Sequence, residues 1–313
     1  MFEIIRYTDN QRQAWDEFVS QSKNGTFLFL RGYMDYHRER FADHSLMAFI
    51  DGRLAALLPA NREGDELQSH GGLTYGGFIT DRRMTAERML ALFEETNDYL
   101  RRNGFRSVRY KCVPHIYHVV PAEEDLYALF RTCRATLLSR EISSAISLSS
   151  PVKWRRDRHY KANKAARSGV IVEQSDRLAD FYSVLGENLF STHGVHPVHS
   201  LAELELLKSR FPDNIRLYTA RRNDVILGGV VLYLTPRVVH SQYISANEEG
   251  KRLHALDAVF RRVLCEEHFS QAFFDFGKST ESAGTVLNEG LIRQKEGFGA
   301  RAVCYDTYGW ELS

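Results

Sequence analysis

Cysteine is scarce in this chain of 313 residues, and the 4 cysteines are far apart in the sequence. They are Cys112, Cys133, Cys265 and Cys304, so the chain offers no C-x-x-C pair to hold zinc or to form a redox dithiol. Three of them fall within strand or helix patterns, which indicates reduced, buried thiols. The sequence therefore predicts neither a disulfide-rich protein nor a cysteine metal site.

Long apolar runs are also missing. The longest, Val225–Leu234, is about half the length of a membrane span and contains two glycines. The N-terminal residues Met1–Asn10 carry charges and lack the apolar centre of a signal peptide. We therefore expect no integral membrane segment and a cytoplasmic location.

An excess of one charge is absent from the chain as a whole, because 41 Lys and Arg balance 40 Asp and Glu. A net charge of +1 gives no general attraction to nucleic acid or to an anionic membrane. One segment breaks this balance, since Lys153–Arg167 has seven basic side chains against one Asp. Ser150-Pro151 before it and Ser168-Gly169 after it are typical helix boundaries, so the segment is predicted to form a basic helix.

The basic helix has two interpretations. On a helical wheel its alanines form a narrow stripe opposite most of the cations, as in a linker helix that docks by its alanines. It also lies at the junction of two predicted domains, where clefts form, and could bind a diphosphate or an RNA backbone there. In that second interpretation the anion-binding side chains are Arg155, Arg158, Lys161 and Lys164.

The same order of predicted elements occurs twice, at an offset of roughly 170 residues. Each copy has a hairpin, a third strand, a helix and a further strand. The first copy comprises Leu46–Ile50, Leu54–Leu58, Leu73–Thr80, Thr85–Asn103 and Ser107–Val113. The second comprises Ile215–Ala220, Val225–Leu234, Val238–Ser245, Lys251–His268 and Ala272–Phe276. The sequence thus predicts an α+β protein with mixed sheets and two domains, at 1–150 and 151–313, the second beginning with the basic helix.

Hairpin, strand, helix and strand in this order are the core of the GNAT acyltransferase fold. Its acyl donor enters where the third strand separates from the strand after the helix. A coenzyme A diphosphate would lie on the loop before that helix, which in the second copy includes Glu248, Glu249 and a single Gly250. Carboxylates at a helix N-terminus satisfy its dipole and repel phosphate, so this loop favours another donor or a decayed donor site.

Three further motifs strengthen a family resemblance. They are Phe274-Asp275-Phe276-Gly277-Lys278-Ser279 followed by Lys295-Glu296-Gly297-Phe298-Gly299, the segment Arg155–Ala165, and Tyr75-Gly76-Gly77. Together they resemble the Fem-type (FemAB-like) aminoacyltransferases, which are grouped with tandem GNAT proteins. The resemblance implies transfer of an acyl or aminoacyl group onto an amine of a cell-envelope precursor. It implies aminoacyl-tRNA or acyl-CoA as donor substrate, a small-molecule or nucleotide-linked acceptor such as a peptidoglycan peptide, and no tightly bound cofactor.

The candidate site residues are drawn from these patterns. Asp275, Lys278 and Ser279 lie just past the end of a strand, where functional loops gather, although a simple glycine turn would also explain Asp275. Tyr243 lies on the strand that borders the donor gap and could protonate a leaving group or pack in the core. Tyr75 holds the corresponding place in the first copy. Lys278 and Tyr243 are expected to approach one another where the strands diverge.

Histidines cluster in Thr192–His199, at positions 193, 196 and 199. Pro197 breaks helical spacing, and neither carboxylate nor cysteine lies among them, so a metal site is not expected. His196 is a candidate general base or acceptor-ordering residue.

The predicted function is amide formation by attack of an acceptor amine on an activated carbonyl. An acyl-CoA-dependent N-acetyltransferase that acts on an amino sugar or nucleotide sugar for surface polysaccharide is one alternative. A catalytically inactive tandem GNAT-like binding protein is the other. The sequence does not determine the oligomeric state.

Overall fold

The structure is a computed structural model that describes residues 1–194 and 196–312, apart from the side chains of Thr192 and His193. The strands are β1 (Phe2–Arg6), β2 (Ala42–Asp43), β3 (Leu46–Ile50), β4 (Arg53–Leu58), β5 (Asn61–Glu63), β6 (Glu66–Ser69), β7 (Ile79–Thr80), β8 (Ser107–Lys111), β9 (Thr136–Ser147), β10 (Ile171–Gln174), β11 (Ile215–Arg222), β12 (Val225–Leu234), β13 (Val238–Ala246), β14 (Phe273–Lys278), β15 (Thr280–Glu281), β16 (Val286–Leu287) and β17 (Arg301–Glu311).

The helices are α1 (Arg12–Gln21), α2 (Arg31–Met34), α3 (Ala86–Arg102), α4 (Glu124–Arg131), α5 (Arg156–Arg167), α6 (Leu178–His193), α7 (Leu201–Arg210), α8 (Glu248–Arg252), α9 (Ala255–Arg261) and α10 (Glu289–Gly297). None of the helices in the described ranges combines the length and the apolar character that crossing a membrane requires. The mixed α+β architecture predicted from the sequence is confirmed.

The chain forms two compact units. The first contains residues 1–142, 280–287 and 303–312, and the second contains 143–279 and 288–302. This arrangement differs from the predicted division at residue 150, because two late segments complete the first unit. The reason is strand pairing: β17 lies antiparallel to β8, with Tyr308 opposite Tyr110.

The first unit contains the predicted hairpin. β3 and β4 are antiparallel, and Asp51 and Gly52 between them have φ of 51° and 72°, the left-handed conformation that an Asp-Gly turn requires. β1 and β7 flank the hairpin in the order β1-β3-β4-β7. Helix α3 packs its apolar face into the core through buried residues that include Leu92, Phe93 and Leu100. The pattern of the sequence therefore placed this hairpin and helix correctly.

The predicted strand Leu73–Thr80 is wrong in its extent, because only Ile79–Thr80 pairs, as β7. The strand that lies parallel to β8 is instead β6, with Leu67 opposite Val108. The chain between β6 and β7 turns back on itself. A Cβ atom at Gly76 would lie 1.9 Å from the Ser69 carbonyl oxygen, and Gly77 has a φ of +81°. Only glycine permits so close an approach of two backbone segments.

Tyr110 fills the space beside β7 in the first unit. Its phenol oxygen accepts a hydrogen bond from the Phe78 N–H at 2.8 Å and donates one to an Asp125 carboxylate oxygen at 2.9 Å. All three groups are buried. A hydrogen-bonded side chain of β8 therefore fills the space next to Phe78, the residue that precedes β7.

The second unit has strands in the order β10-β11-β12-β13-β14, followed by residues 143–147 of β9. β13 and β14 are parallel but pair at only three positions, from Val238 opposite Phe273 to His240 opposite Asp275. Beyond this point β13 continues to Ala246 beside β12, and β14 continues to Lys278 beside β9. The two strands therefore diverge, as predicted for the donor gap of the second copy.

Helices cover both faces of the second unit's sheet. A Cβ atom at Gly229 would lie 3.2 Å from the ring of Phe181 in α6. Val230, the next residue, packs into the core cluster that contains Val259 and Phe260 of α9. Neighbouring residues of a strand point to opposite faces, so α6 and α9 lie on opposite sides of the sheet.

We expect Gly77→Ala to destabilise the first unit more than Gly52→Ala. Both glycines have positive φ, but a Cβ atom at Gly52 meets nothing within 4 Å, whereas one at Gly77 lies 2.7 Å from the buried Tyr110 phenol oxygen. Gly52→Ala should cost about 1 kcal/mol of backbone strain, and Gly77→Ala about 2 kcal/mol more because of overpacking. Urea unfolding followed by tryptophan fluorescence measures both losses of stability. Equal losses would show that the contact with Tyr110 does not restrict the residue at position 77.

Candidate active site

A cavity of about 520 Å³ lies in the second unit where β13 and β14 diverge. Ile244, Ser245 and Ala246 at the end of β13 form one wall, and Phe276 of β14 contributes to another. The helices α5, α6, α8, α9 and α10 complete the lining. Backbone groups at the end of β13 have no β14 partner here because the parallel pairing stops at His240. A ligand with its own amide groups could use them.

The lining of the cavity is divided between apolar and charged side chains. The apolar part consists of Ile244, Leu256, Phe260, Phe276, Leu291 and Phe298. The ionisable part consists of Arg158, Lys161, Lys251, His254, Asp257 and Lys295. Basic groups outnumber the single carboxylate, so the cavity suits a ligand with an apolar or acyl portion and an anionic portion.

The basic helix α5 reaches this cavity through two of its predicted residues. Arg158 donates a hydrogen bond to Asp257 at 3.0 Å, and both side chains are almost buried, at 12% and 8% exposure. The Arg158 guanidinium also stacks over Phe298, 4.8 Å from the ring centroid. Lys161 lines the cavity as well and lies 3.3 Å from Asp157. α5 is therefore anchored as part of the site.

The other two predicted cations of α5 lie outside the cavity lining of the described chain. Arg155, which precedes the helix, pairs with Asp157 at 3.1 Å. Lys164 is exposed, and it lies close enough to His254 to influence its protonation. The anion-binding role of all four cations stays a prediction.

Lys295 of α10 holds the loop after β14. It is 4% exposed, and its ammonium donates to the carbonyl oxygens of Gly277 at 2.8 Å and Lys278 at 2.7 Å and to Ser279 Oγ at 2.9 Å. Burial lowers its pKa to about 8, against the opposing effect of the Asp275 carboxylate. Lys295 is the lysine of the K-x-x-F-G motif, so this motif supplies a buried cation that binds the D-F-G-K-S motif. The sequence contains both motifs, but it did not indicate that they contact each other.

The side chain of Asp275 is fully buried and forms hydrogen bonds with other residues of the second unit. One carboxylate oxygen lies 2.9 Å from His240 Nδ1, and the other accepts hydrogen bonds from Ser143 Oγ at 2.5 Å and from the Gly277 N–H at 3.1 Å. These contacts cross β13, β14 and β9 at the position where the first two strands begin to diverge. The carboxylate thus fixes the geometry of the divergence; Asp275 is not among the described residues that line the cavity, and its predicted role in substrate binding stays a prediction.

Tyr243 and Lys278 lie at the two strand ends but, of the described residues, neither lines the cavity. The Tyr243 phenol oxygen lies 2.7 Å from His199 Nδ1 and accepts from the His199 N–H at 3.2 Å. Burial raises the pKa of Tyr243 to about 12. The Lys278 and Ser279 backbone and hydroxyl groups bind Lys295. The mutual approach of the Lys278 and Tyr243 side chains stays a prediction.

The remaining predicted residues lie elsewhere. His196 is exposed, and its ring lies 5.8 Å from that of Phe190. Val195 and the side chain of His193 lie outside the described residues. Tyr75 is buried in the first unit, where its hydroxyl donates to Thr26 Oγ1 at 3.1 Å and its ring contacts Phe29. The geometry gives Tyr75 a packing role.

The loop before α8 and α9 differs from the phosphate-binding loop of a coenzyme A site. Asn247 caps α8 by accepting from the Gly250 N–H at 2.8 Å, and Glu248 pairs with Lys251 at 2.7 Å. A Cβ atom at Gly250 would lie 2.1 Å from the Leu227 carbonyl oxygen, so glycine is required. Lys251, His254 and Asp257 line the cavity, and the sequence patterns did not identify them as site residues.

Comparison of this chain with known proteins agrees with the fold described above. Residues 153–282 match the family model of the acetyltransferase (GNAT) domain. No curated protein matches the chain by sequence. Several solved structures nevertheless resemble it along nearly its whole length.

The structure of FemX is similar with a TM-score of 0.69 at 12% identity, covering 99% of this chain and 97% of that chain. L-PGS from Bacillus licheniformis is similar with a TM-score of 0.63 at 10% identity, covering 96% and 91%. A tandem GNAT protein from the clavulanic acid biosynthesis pathway gives 0.53 at 11% identity, covering 100% and 99%. The fold expected from the Fem-type resemblance is thereby confirmed.

The buried ammonium of Lys295 leads to a pH-dependent stability. Its pKa of about 8 in the folded protein lies below the ordinary value of 10.5, so the unfolded chain binds more protons between these values. Stability conferred by this group therefore increases as pH rises above about 8. The unfolding free energy of wild type minus that of Lys295→Met should become more positive by about 1 kcal/mol from pH 7 to pH 9. Urea unfolding at both pH values measures this signed difference, and a value that stays constant or becomes more negative would refute the prediction.

Proposed function

Because the chain has the tandem GNAT fold of the Fem-type proteins, with a GNAT domain at residues 153–282, we propose that it is an acyltransferase acting on an amine. The donor supplies an acyl or aminoacyl group, and the acceptor is a cell-envelope precursor. The observation that carries this proposal is the cavity between the diverging strands, whose lining combines apolar and basic side chains.

The donor occupies the divergence of β13 and β14 in this proposal. Its amide or sugar groups bind the backbone at Ile244–Ala246, and its acyl portion packs against Phe260 and Phe276. The anionic portion of a nucleotide or phosphopantetheine lies toward Lys161 and Lys251. These contacts leave the carbonyl carbon in the cavity, where the acceptor amine attacks it.

Positioning accounts for most of the catalysis in this proposal. Aminolysis of an ester or thioester needs a held carbonyl, an uncharged amine and a stabilised oxyanion. Lys295 binds the Lys278 carbonyl and the Ser279 hydroxyl, and Lys278 ends β14 beyond the point where its pairing with β13 stops. We assign Lys278 to the developing oxyanion or to an acceptor carboxylate, and Tyr243 to protonation of the leaving group.

A specific observation also favours acyl-CoA as donor. The matched family model describes acetyltransferases, and Gly250 at the start of α8 lines the cavity without a side chain, which leaves room for a ligand beside it. Against it, Glu249 at the same turn pairs with Arg222 at 3.3 Å and leaves a carboxylate where diphosphate would bind. Aminoacyl-tRNA is therefore the first donor to test and acyl-CoA the second.

Filling the cavity should abolish transfer without harming the fold. Leu291 on α10 lines the cavity and is 37% exposed, whereas Leu206 on α7 is 39% exposed and lies outside the described lining. We expect Leu291→Trp to lower kcat/KM at least about tenfold and Leu206→Trp to leave it unchanged, since both surface changes cost little stability. Mass spectrometry of amine acceptors incubated with aminoacyl-tRNA or acetyl-CoA measures transfer.

The outcomes separate the candidate functions. Product from aminoacyl-tRNA alone supports the Fem-type reaction, and product from acetyl-CoA alone supports the acetyltransferase. Binding of donor or acceptor without any product would instead identify a binding protein. Equal activity of the two tryptophan variants would show that the reaction occurs elsewhere.

The basic helix should contribute to donor or acceptor binding through charge. We expect the double variant Lys161→Glu and Lys164→Glu to weaken binding of a phosphorylated substrate about tenfold and to reduce its salt dependence. The matched control is Lys153→Glu with Arg167→Glu, which makes the same charge change at exposed positions of the same segment. Calorimetry at two salt concentrations measures both, and equal weakening by the control would reduce α5 to a general electrostatic contribution.

A further inference from the structure

His254 occupies an unusual backbone position at the cavity. It joins α8 to α9 and has φ of 59° and ψ of 39°, the left-handed region that side chains other than glycine rarely adopt. The Asp257 and Ala258 N–H groups both donate to its carbonyl oxygen, so this conformation starts α9. Its half-buried side chain lines the cavity between the diverging strands. Strained backbone of this kind is found at functional sites.

The surroundings of His254 lower the pKa of its imidazole. Burial is the main influence that lowers its pKa, and the cations Lys164, Lys161 and Arg158 of α5 lower it further. The Asp257 carboxylate acts in the opposite direction, but it is engaged by Arg158 at 3.0 Å. A neutral imidazole at neutral pH can accept a proton.

The other ionisable groups of the described lining are poorly suited to accept a proton. Lys295 donates to three oxygen atoms, and Asp257 is held by Arg158. Lys161 and Lys251 are paired with Asp157 and Glu248. His254 is thus the group in this cavity that combines access to a bound ligand with the chemistry of a base.

We propose that His254 is the general base that deprotonates the acceptor amine. This inference rests on the proposed acyl transfer. The imidazole takes one proton from the acceptor ammonium, and the neutral amine attacks the donor carbonyl carbon. A C–N bond forms and the carbonyl carbon's bond to the oxygen or sulfur of the donor breaks. The imidazolium then releases its proton to solvent, and the second proton lost by nitrogen is delivered to the leaving oxygen or sulfur, so that every group of the protein returns to its starting protonation state.

His254→Gly tests this role without threatening the fold, because glycine adopts the left-handed conformation at no steric cost. The variant should be at least as stable as wild type and should lose about 100-fold or more in kcat/KM at pH 8. Asn223→Gly is the matched control, since Asn223 also has a positive φ, of 47°, but lies in the β11–β12 hairpin. Its activity should equal that of wild type.

Two further readouts distinguish a base from a structural residue. The ratio of wild-type to His254→Gly activity should shrink in acidic solution, because protonated imidazole cannot accept a proton, and the lowered pKa of His254 places this change below the ordinary imidazole range. Added imidazole should restore part of the activity of His254→Gly. Retained activity, or a pH-independent loss without rescue, would overturn the inference while leaving transfer by wild type intact. No transfer by wild type to any amine would overturn the proposed function itself, and the inference with it.

Discussion

Parallel pairing between β13 and β14 ends after three residue pairs, and the geometry of the second unit depends on that ending. Asp275 is the last residue of β14 that pairs with β13, and its buried carboxylate binds His240, Ser143 and the Gly277 N–H. A buried carboxylate is tolerated only when its hydrogen-bonding capacity is used. The strands therefore separate at a defined position, and the cavity opens beyond it.

A lysine fixes an irregular loop in each unit. Lys295 binds two carbonyl oxygens and a hydroxyl after β14, and Lys111 donates to the carbonyl oxygens of His70 at 3.1 Å, Gly71 at 3.3 Å and Leu73 at 2.8 Å. Irregular backbone leaves carbonyl groups without strand partners, and an ammonium with three donors satisfies several at once. The two units differ in how the space near these loops is used, because the buried Tyr110 phenol binds the Phe78 N–H and Asp125 in the first unit, whereas a cavity opens beyond the paired part of β13 and β14 in the second.

Much of this architecture was predictable from local patterns. Apolar alternation and turn residues located both hairpins, α3 and β14, because these elements depend on neighbouring residues in the chain. The extent of β7 was not predictable, since it depends on the approach of Gly76 to the Ser69 carbonyl. Prediction of the site was limited in the same way, because it too depends on contacts between separate segments of the chain. The motif indicated Lys278 and Ser279, but His254 and Asp257 gain their positions only from the packing of α9 against α5.

The order in which the segments of the two units occur along the chain has a consequence for synthesis. Residues 303–312 belong to the first unit, and β17 pairs with β8 there, although β8 is translated long before. The second unit needs nothing beyond residue 302. During translation β8 is therefore synthesised long before β17, and until β17 pairs with it one edge of β8 has no strand partner. An unpaired strand edge can pair with another chain, so the first unit is exposed to aggregation until β17 joins it.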